Sequence, residues 1–225
     1  MPADGRAAPG SRTKILVTGF EPFGGDTLNA SLAAVRALPD RIAGVAVLRE
    51  TLPTVFDRAR EQLAALIARA APTHVICVGE AGGRTELCVE RIAINVNDAR
   101  LADNAGGQPI ETPVIAGAPA AYFSTLPIKA MVAAIRAEGV PAAISNSAGT
   151  YVCNHVFYGL MHLAATRFHG LHAGFIHIPC LPAQAAAHPG MPSMAAADVA
   201  RGLTAALAAA VTVRHDIGVT EGRVA

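Results

Sequence analysis

The sequence predicts an α/β protein: a three-layer α/β/α sandwich whose central sheet is twisted and largely parallel. Short apolar runs ending at Gly or Pro recur at 14–19, 73–79 and 174–179, each the length of a buried strand. Between them lie stretches with apolar residues at helical spacing, and such alternation builds parallel sheets covered on both faces. A chain of 225 residues, 52% hydrophobic and 16% charged, can bury one sizeable core, and α/β chains of this length commonly form one domain.

Residues 1–13 lack an apolar signal core and read as a disordered extension ahead of a single domain over 14–213. The first strand, 14–20, opens into Glu21-Pro22-Phe23-Gly24-Gly25-Asp26, a loop by its Pro and paired Gly. No GxGxxG follows it and no Gly-Lys-Ser/Thr is present, so it is not a nucleotide loop. Phe20 and Phe23 either pack beneath this loop or wall a ligand pocket. Residues 29–38 have helical period with Asn29 as cap, and 45–52 reads as a second strand. A long helix is expected from Pro53 to about residue 70, burying Val55, Leu63, Ala64 and Ile67.

The strand at 73–79 ends in a further loop, Glu80-Ala81-Gly82-Gly83-Arg84. Residues 88–97 are extended, with Glu90, Ile92, Ile94 and Val96 on one face. A carboxylate on an Ile/Val face is costly unless paired, and an ion pair to Arg91 or Arg100 competes with a functional role. Residues 98–120 are irregular, and so long a connection is usually functional or mobile. A helix over 127–138 is stopped by Gly139, and an Ala-rich helix over 195–211 is expected to be capped by Ser193. The segment 214–225 reads as an irregular, frayed tail.

Several function classes are excluded by composition. A net charge of +1 and the absence of Trp speak against nucleic acid, and no apolar run reaches a membrane span. The four cysteines form no CxxC and have no secretory context, which points to reduced thiols and the cytoplasm.

The chemistry centres on 142–158, AAISNSAGTYVCNHVFY. An apolar start, a turn of small polar residues and a helical pattern through Val156, Leu160 and Phe168 put Cys153 at a helix N-terminus. Unpaired N–H groups and the helix dipole favour the nucleophilic thiolate there; the competing reading is a small buried hydrophobe. If 142–148, 154–168 and 173–178 form a right-handed parallel crossover, both strands end on one edge. Cys153 and His177 then meet although 24 residues apart, and Glu90 starts just beyond the same rim. Thiol, imidazole and carboxylate are the constellation of a cysteine hydrolase. His155, two positions from Cys153, diverges on the helix and is a poor base. His155, His162 and His169 recur every seven residues, but without HExxH or a Cys/His cluster they read as a partly exposed polar face and no metal site.

These blocks resemble the pyroglutamyl peptidase I (pyrrolidone carboxyl peptidase) family: Thr18-Gly19-Phe20-Glu21-Pro22-Phe23-Gly24-Gly25, Gly79-Glu80-Ala81-Gly82-Gly83-Arg84, Glu90-Arg91-Ile92-Ala93-Ile94-Asn95, Asp98-Ala99-Arg100, Ser145-Asn146-Ser147-Ala148-Gly149-Thr150-Tyr151-Val152-Cys153-Asn154 and His177-Ile178-Pro179. They stand in the family's order across nearly the whole chain. The resemblance implies an α/β/α cysteine exopeptidase, without cofactor, that cleaves after an N-terminal pyroglutamyl residue of peptides. It implies Cys153 as nucleophile, His177 as base and acid, and Glu90 as orienting carboxylate. It also implies a lactam pocket of Phe20, Phe23, Asn29, Glu80, Tyr151 and Val152, with Arg100 and the Cys153 N–H steadying the oxyanion. The expected assembly is a homo-oligomer, dimer or tetramer. Glu80 stands where the family usually has Gln; a recognising backbone carbonyl would be unaffected, whereas a donating side-chain amide could not be replaced. Two other readings stay open: a catalytically silent binder of pyroglutamyl peptides, and a nucleoside-phosphorylase-type enzyme, for which only Arg84 and Arg100 could serve phosphate.

Overall fold

The computed structural model describes residues 13–222, so nearly all of the expected N-terminal extension lies outside the described residues. In chain order the elements are β1 (Lys14–Phe20), α1 (Ala30–Arg36), β2 (Arg41–Ile42), β3 (Val45–Leu52), α2 (Phe56–Ala70), β4 (His74–Glu80), β5 (Leu87–Glu90) and β6 (Ile92–Ile94). There follow β7 (Ala121–Phe123), α3 (Ile128–Ala137), β8 (Ala142–Ser145), α4 (Val152–Thr166), β9 (His172–Ile178), α5 (Pro182–Ala185) and α6 (Ala196–Thr212). Seven strands form one sheet in the order β2-β3-β1-β4-β9-β5-β8, and β6 and β7 form a separate two-stranded ribbon.

The three layers follow from strand alternation. Ile15, Val17, Ile76, Val78 and Ile176 point to one face and pack with α1, α3 and α6. Leu16, Val75, Cys77 and Phe175 point to the other and pack with α2 and α4. Both faces are covered, which is why β1, β4 and β9 are buried along almost their whole length. Gly19 permits a close approach of α1 to β1: a Cβ there would lie 2.8 Å from the Leu32 Cα of α1.

The parallel crossover expected around Cys153 is not formed. β3, β1, β4 and β9 run parallel, but β5 is antiparallel to β9 and parallel to β8. β8 and β9 therefore run in opposite directions with β5 between them. Apolar runs of four to seven residues carry no record of direction, and β5 takes the slot that the crossover left for β8.

Smaller corrections have local causes. α2 begins at Phe56 rather than Pro53, because the Asp103 carboxylate accepts from the Phe56 N–H (3.0 Å). The extended stretch from residue 88 breaks at Arg91, and Ile92 and Ile94 are only half-buried in the ribbon. Ser193 does not cap α6, whose N-cap is Ala195, but bridges to Cys180. Residues 214–222 contain no helix or strand, yet they are docked rather than frayed. Asp216 accepts from the N–H groups of Lys129 and Ala130 at the start of α3, and Glu221 pairs with Arg136 at 2.5 Å. No helix among the described residues is long and apolar enough to cross a membrane.

Candidate active site

Cys153 is the second residue of α4, behind an N-cap at Tyr151, and the N–H groups of this first turn have no partner within the helix. It is half-buried, whereas Cys77, Cys88 and Cys180 are buried. Burial pushes the Cys77 thiol up to about 12, and burial followed by the Glu80 charge pushes Cys180 up to about 11. Cys88 is raised too, by burial first. Those three thiols are held in the unreactive form.

The sulfur of Cys153 rests on the end of β4. A Cβ at Gly79 would lie 2.9 Å from it and 2.8 Å from the Phe175 ring, so only glycine lets α4 settle there. Asn154 fixes the helix from its other side. Its Oδ1 accepts from the Ile94 N–H (3.1 Å), and its Nδ2 donates to the carbonyls of Ile94 (2.9 Å) and Val96 (3.0 Å).

His177 lies opposite Cys88 on the neighbouring antiparallel strand, and Glu90 is two residues further along the same face. That diagonal brings His177 Nδ1 to 2.8 Å from Glu90 Oε1. Both side chains are buried. A carboxylate only accepts, so Nδ1 carries the hydrogen and Nε2 faces the sulfur. Burial alone would push the imidazole down; the Cys153 sulfur and the Glu90 carboxylate outweigh it and raise His177 to about 9. Such a ring holds its proton beside the Cys153 sulfur.

The ion pair with Arg91 or Arg100 that competed with a functional role for Glu90 is not formed. Arg91 donates to Asn146 Oδ1 (2.8 Å) and the Glu221 carbonyl (2.9 Å), and Arg100 lines the cavity. The guanidinium near Glu90 is that of Arg84, at 3.9 Å from Oε1.

A cavity of about 420 Å³ opens over Cys153 and His177, within the range of roughly 300–1,000 Å³ usual for small-molecule sites. Every residue expected in the pocket lines it: Phe20, Phe23, Asn29, Glu80, Tyr151 and Val152, with Arg100 at the wall. Phe20 stacks obliquely on Phe175 and Phe23 on Tyr151. The side chains of Asn29 and Glu80 are, however, occupied by the frame. Asn29 Oδ1 accepts from Ser31 N–H and Oγ, and its Nδ2 donates to the Glu21 carbonyl. The Glu80 carboxylate accepts from Ala30 N–H (2.7 Å) and from Gln184 Nε2 (2.9 and 3.0 Å). The donor side chain of Gln184 is what accommodates Glu at this position.

The sequence reading missed Thr54, Asp98 and Leu101 as cavity residues. Asp98 stands in the same short block as Arg100; nothing local marks Thr54. The irregular loop that supplies Asp98 and Leu101 is tied to the residues that lead into α4. Tyr151 Oη donates to the Ala102 carbonyl (3.1 Å), and Thr150 Oγ1 to the Asp98 carbonyl (2.8 Å). The expected polar histidine face is also corrected. His155 is buried with Nδ1 2.9 Å from Asn97 Oδ1, His162 pairs with Tyr122, and His169 lies beyond the helix end.

A family model described as pyroglutamyl peptidase matches residues 13–213. A pyrrolidone-carboxylate peptidase 1 of Ralstonia nicotianae is 57% identical over 206 residues, covering 90% of this chain and 95% of the relative. A pyrrolidone-carboxylate peptidase of Bacillus cereus is 46% identical over 204 residues, with coverage of 90% and 95%. Among solved structures, pyroglutamyl peptidase I of Bacillus amyloliquefaciens superposes with a TM-score of 0.89 at 42% identity, over 91% of this chain and 100% of that one. A mutant pyrrolidone carboxyl peptidase of Pyrococcus furiosus gives 0.85 at 41% identity, over 88% and 98%.

Proposed function

The chain belongs to the pyroglutamyl peptidase family, and from that premise we propose that Cys153, His177 and Glu90 perform its hydrolysis of the amide bond after an N-terminal pyroglutamyl residue. The observation that carries this reading is the buried 2.8 Å contact of Glu90 with an imidazole whose other side meets a helix-N-terminal sulfur. The thiolate attacks the pyroglutamyl carbonyl carbon, and the C=O π electrons pass to oxygen. The N–H groups of the first turn of α4 face the charge that develops, with Arg100 a second donor from the cavity wall. The His177 imidazolium gives its proton to the leaving amine as the C–N bond breaks, leaving a thioester. His177, now neutral, takes a proton from water; the hydroxide attacks, pyroglutamate leaves and the thiolate is restored. Glu90 holds the ring in one tautomer and stabilises it when charged.

The apolar walls of Phe20, Phe23 and Val152 suit a neutral five-membered lactam, and the engaged side chains of Asn29 and Glu80 shift recognition of its polar edge toward backbone groups. On this reading 14–213 is one catalytic domain acting in the cytoplasm, in keeping with four unpaired cysteines. A homo-oligomer belongs to the same proposal, with Ile110 and Phe123, 69% and 66% exposed, as the large apolar side chains it would cover. The decisive experiment uses a chromogenic pyroglutamyl amide beside its prolyl analogue. Wild type is expected to cleave only the former, and Cys153→Ala to cleave neither while keeping its melting temperature. Activity surviving in Cys153→Ala would remove the nucleophile assignment.

A further inference from the structure

Resting on the triad reading above, we propose that Arg84 is a positioning residue whose guanidinium balances the charge of the buried Glu90 carboxylate from outside the cavity over Cys153. Glu90 is fully buried; His177 takes Oε1, and Oε2 has no hydrogen-bond partner among the described residues. A carboxylate so placed is costly as an anion, and losing its charge removes the support of the imidazolium. Among the described residues, Arg84 is the only arginine or lysine within 4.0 Å of it.

The geometry suits a charge supplied without competition. At 3.9 Å the guanidinium attracts Glu90 but leaves Oε1 to His177. Arg84 is held by weak contacts of Nη2 to Ser145 Oγ and the Ser147 carbonyl, each 3.4 Å, and of Nη1 to Cys88 Sγ at 3.2 Å. It lines a separate cleft of about 290 Å³ with Cys88, Ser145 and Asn146, not the cavity over Cys153. Arg91 and Arg100 cannot replace it, since one is directed to Asn146 and Glu221 and the other to the cavity wall. With thiolate, imidazolium and carboxylate together, the triad carries one net negative charge. Arg84 neutralises the set. Without it the buried set is left with an uncompensated negative charge, and the imidazolium and nucleophile lose that support.

The test compares wild type, Arg84→Gln, Arg84→Lys, Glu90→Gln and the Arg84→Gln/Glu90→Gln double variant. The readouts are kcat and KM on a pyroglutamyl amide, the iodoacetamide alkylation rate of Cys153 and the melting temperature. Arg84→Gln is expected to lower kcat and alkylation about 10-fold or more with KM changed less than about 3-fold, and Arg84→Lys to restore most of both. In the Glu90→Gln background, where no buried anion is stranded, adding Arg84→Gln is expected to cost less than about 2-fold more. Wild-type kcat and alkylation in folded Arg84→Gln would overturn the inference, as would an equal loss from Arg84→Gln in both backgrounds. Failure of the wild type itself to cleave the amide would instead overturn the triad reading.

Discussion

Glu90 reaches His177 across two neighbouring antiparallel strands, and this diagonal defines what its substitution should do. Glu90→Gln keeps the shape but removes the charge that stabilises the imidazolium, and an inverted amide could hold the wrong tautomer. The expected result is a fall in kcat of about 100-fold or more with KM little changed, because the interaction matters mainly in the transition state. Turnover per titrated active site, measured beside the melting temperature, separates this from a scaffold role, for which kcat would stay normal while the melting point fell. His177→Ala is expected to abolish turnover, whereas His155→Ala leaves kcat within about 10-fold, since the His155 ring is directed to Asn97. Equal losses would contradict the assignment of the base. Gly79→Ala tests the seat of the sulfur: a methyl 2.9 Å from Sγ must displace α4 or the thiol. A kcat loss of about 10- to 100-fold without loss of the fold is expected, in line with the effect of ångström-scale misplacement. Wild-type kinetics would show that the sulfur is not held by this contact.

At the scale of elements, α4 is positioned by its partners more than by its own sequence. Its first turn carries the nucleophile, Asn154 ties it to β6, and Thr150 and Tyr151 tie it to the irregular loop at 98–102. Asn154→Ala would strand three backbone groups, so a loss of roughly 2–4 kcal/mol is expected, with a matching shift in a urea titration. The docked tail makes a separate prediction. Asp216 satisfies two orphan N–H groups of α3, and Asp216→Ala is expected to cost about 0.5–2 kcal/mol with kcat unchanged. A tail that frays in solution would show no stability change.

The molecule as a whole carries an acid sensitivity that its histidines define. His74 is lowered to about 4 by burial and by the stacked His172, and His155 to about 4 by burial and then Arg60. Both are neutral when folded, while the unfolded chain binds their protons near 6.5. Stability therefore rises with pH between about 4 and 6.5, and acidification removes it. His177 has the opposite sign: its contribution is complete below 6.5 and is lost as pH rises through about 9. Between pH 7 and 5 the two neutral histidines lose about 1–2 kcal/mol each, and His177 gives back under about 1. Urea titrations at the two pH values should show a net loss of roughly 2–3 kcal/mol, and His155→Gln should flatten it. An unchanged midpoint would mean that these rings are protonated in the folded state.

The residue pattern alone determined the three layers, the strands at 14–20, 45–52 and 73–79 to within a residue, the placing of Cys153 in the first turn of a helix, and the residue types of the candidate site. Period and turn residues are local properties, and they are written into the chain whatever it packs against. Strand direction is not local. An apolar run reads the same in a parallel or antiparallel slot, so only the folded sheet decided that β5 lies between β8 and β9, and that His177 and Glu90 meet on a diagonal. The same limit explains Arg84 rather than Arg91 beside Glu90, the burial of His155 under Asn97, and the docking of Asp216 and Glu221. Each joins residues that are far apart in the chain. Which of several equally charged or equally polar candidates becomes the partner is decided by the geometry of packing, because Coulomb attraction and hydrogen bonding act over a few ångströms of space and take no account of position in sequence.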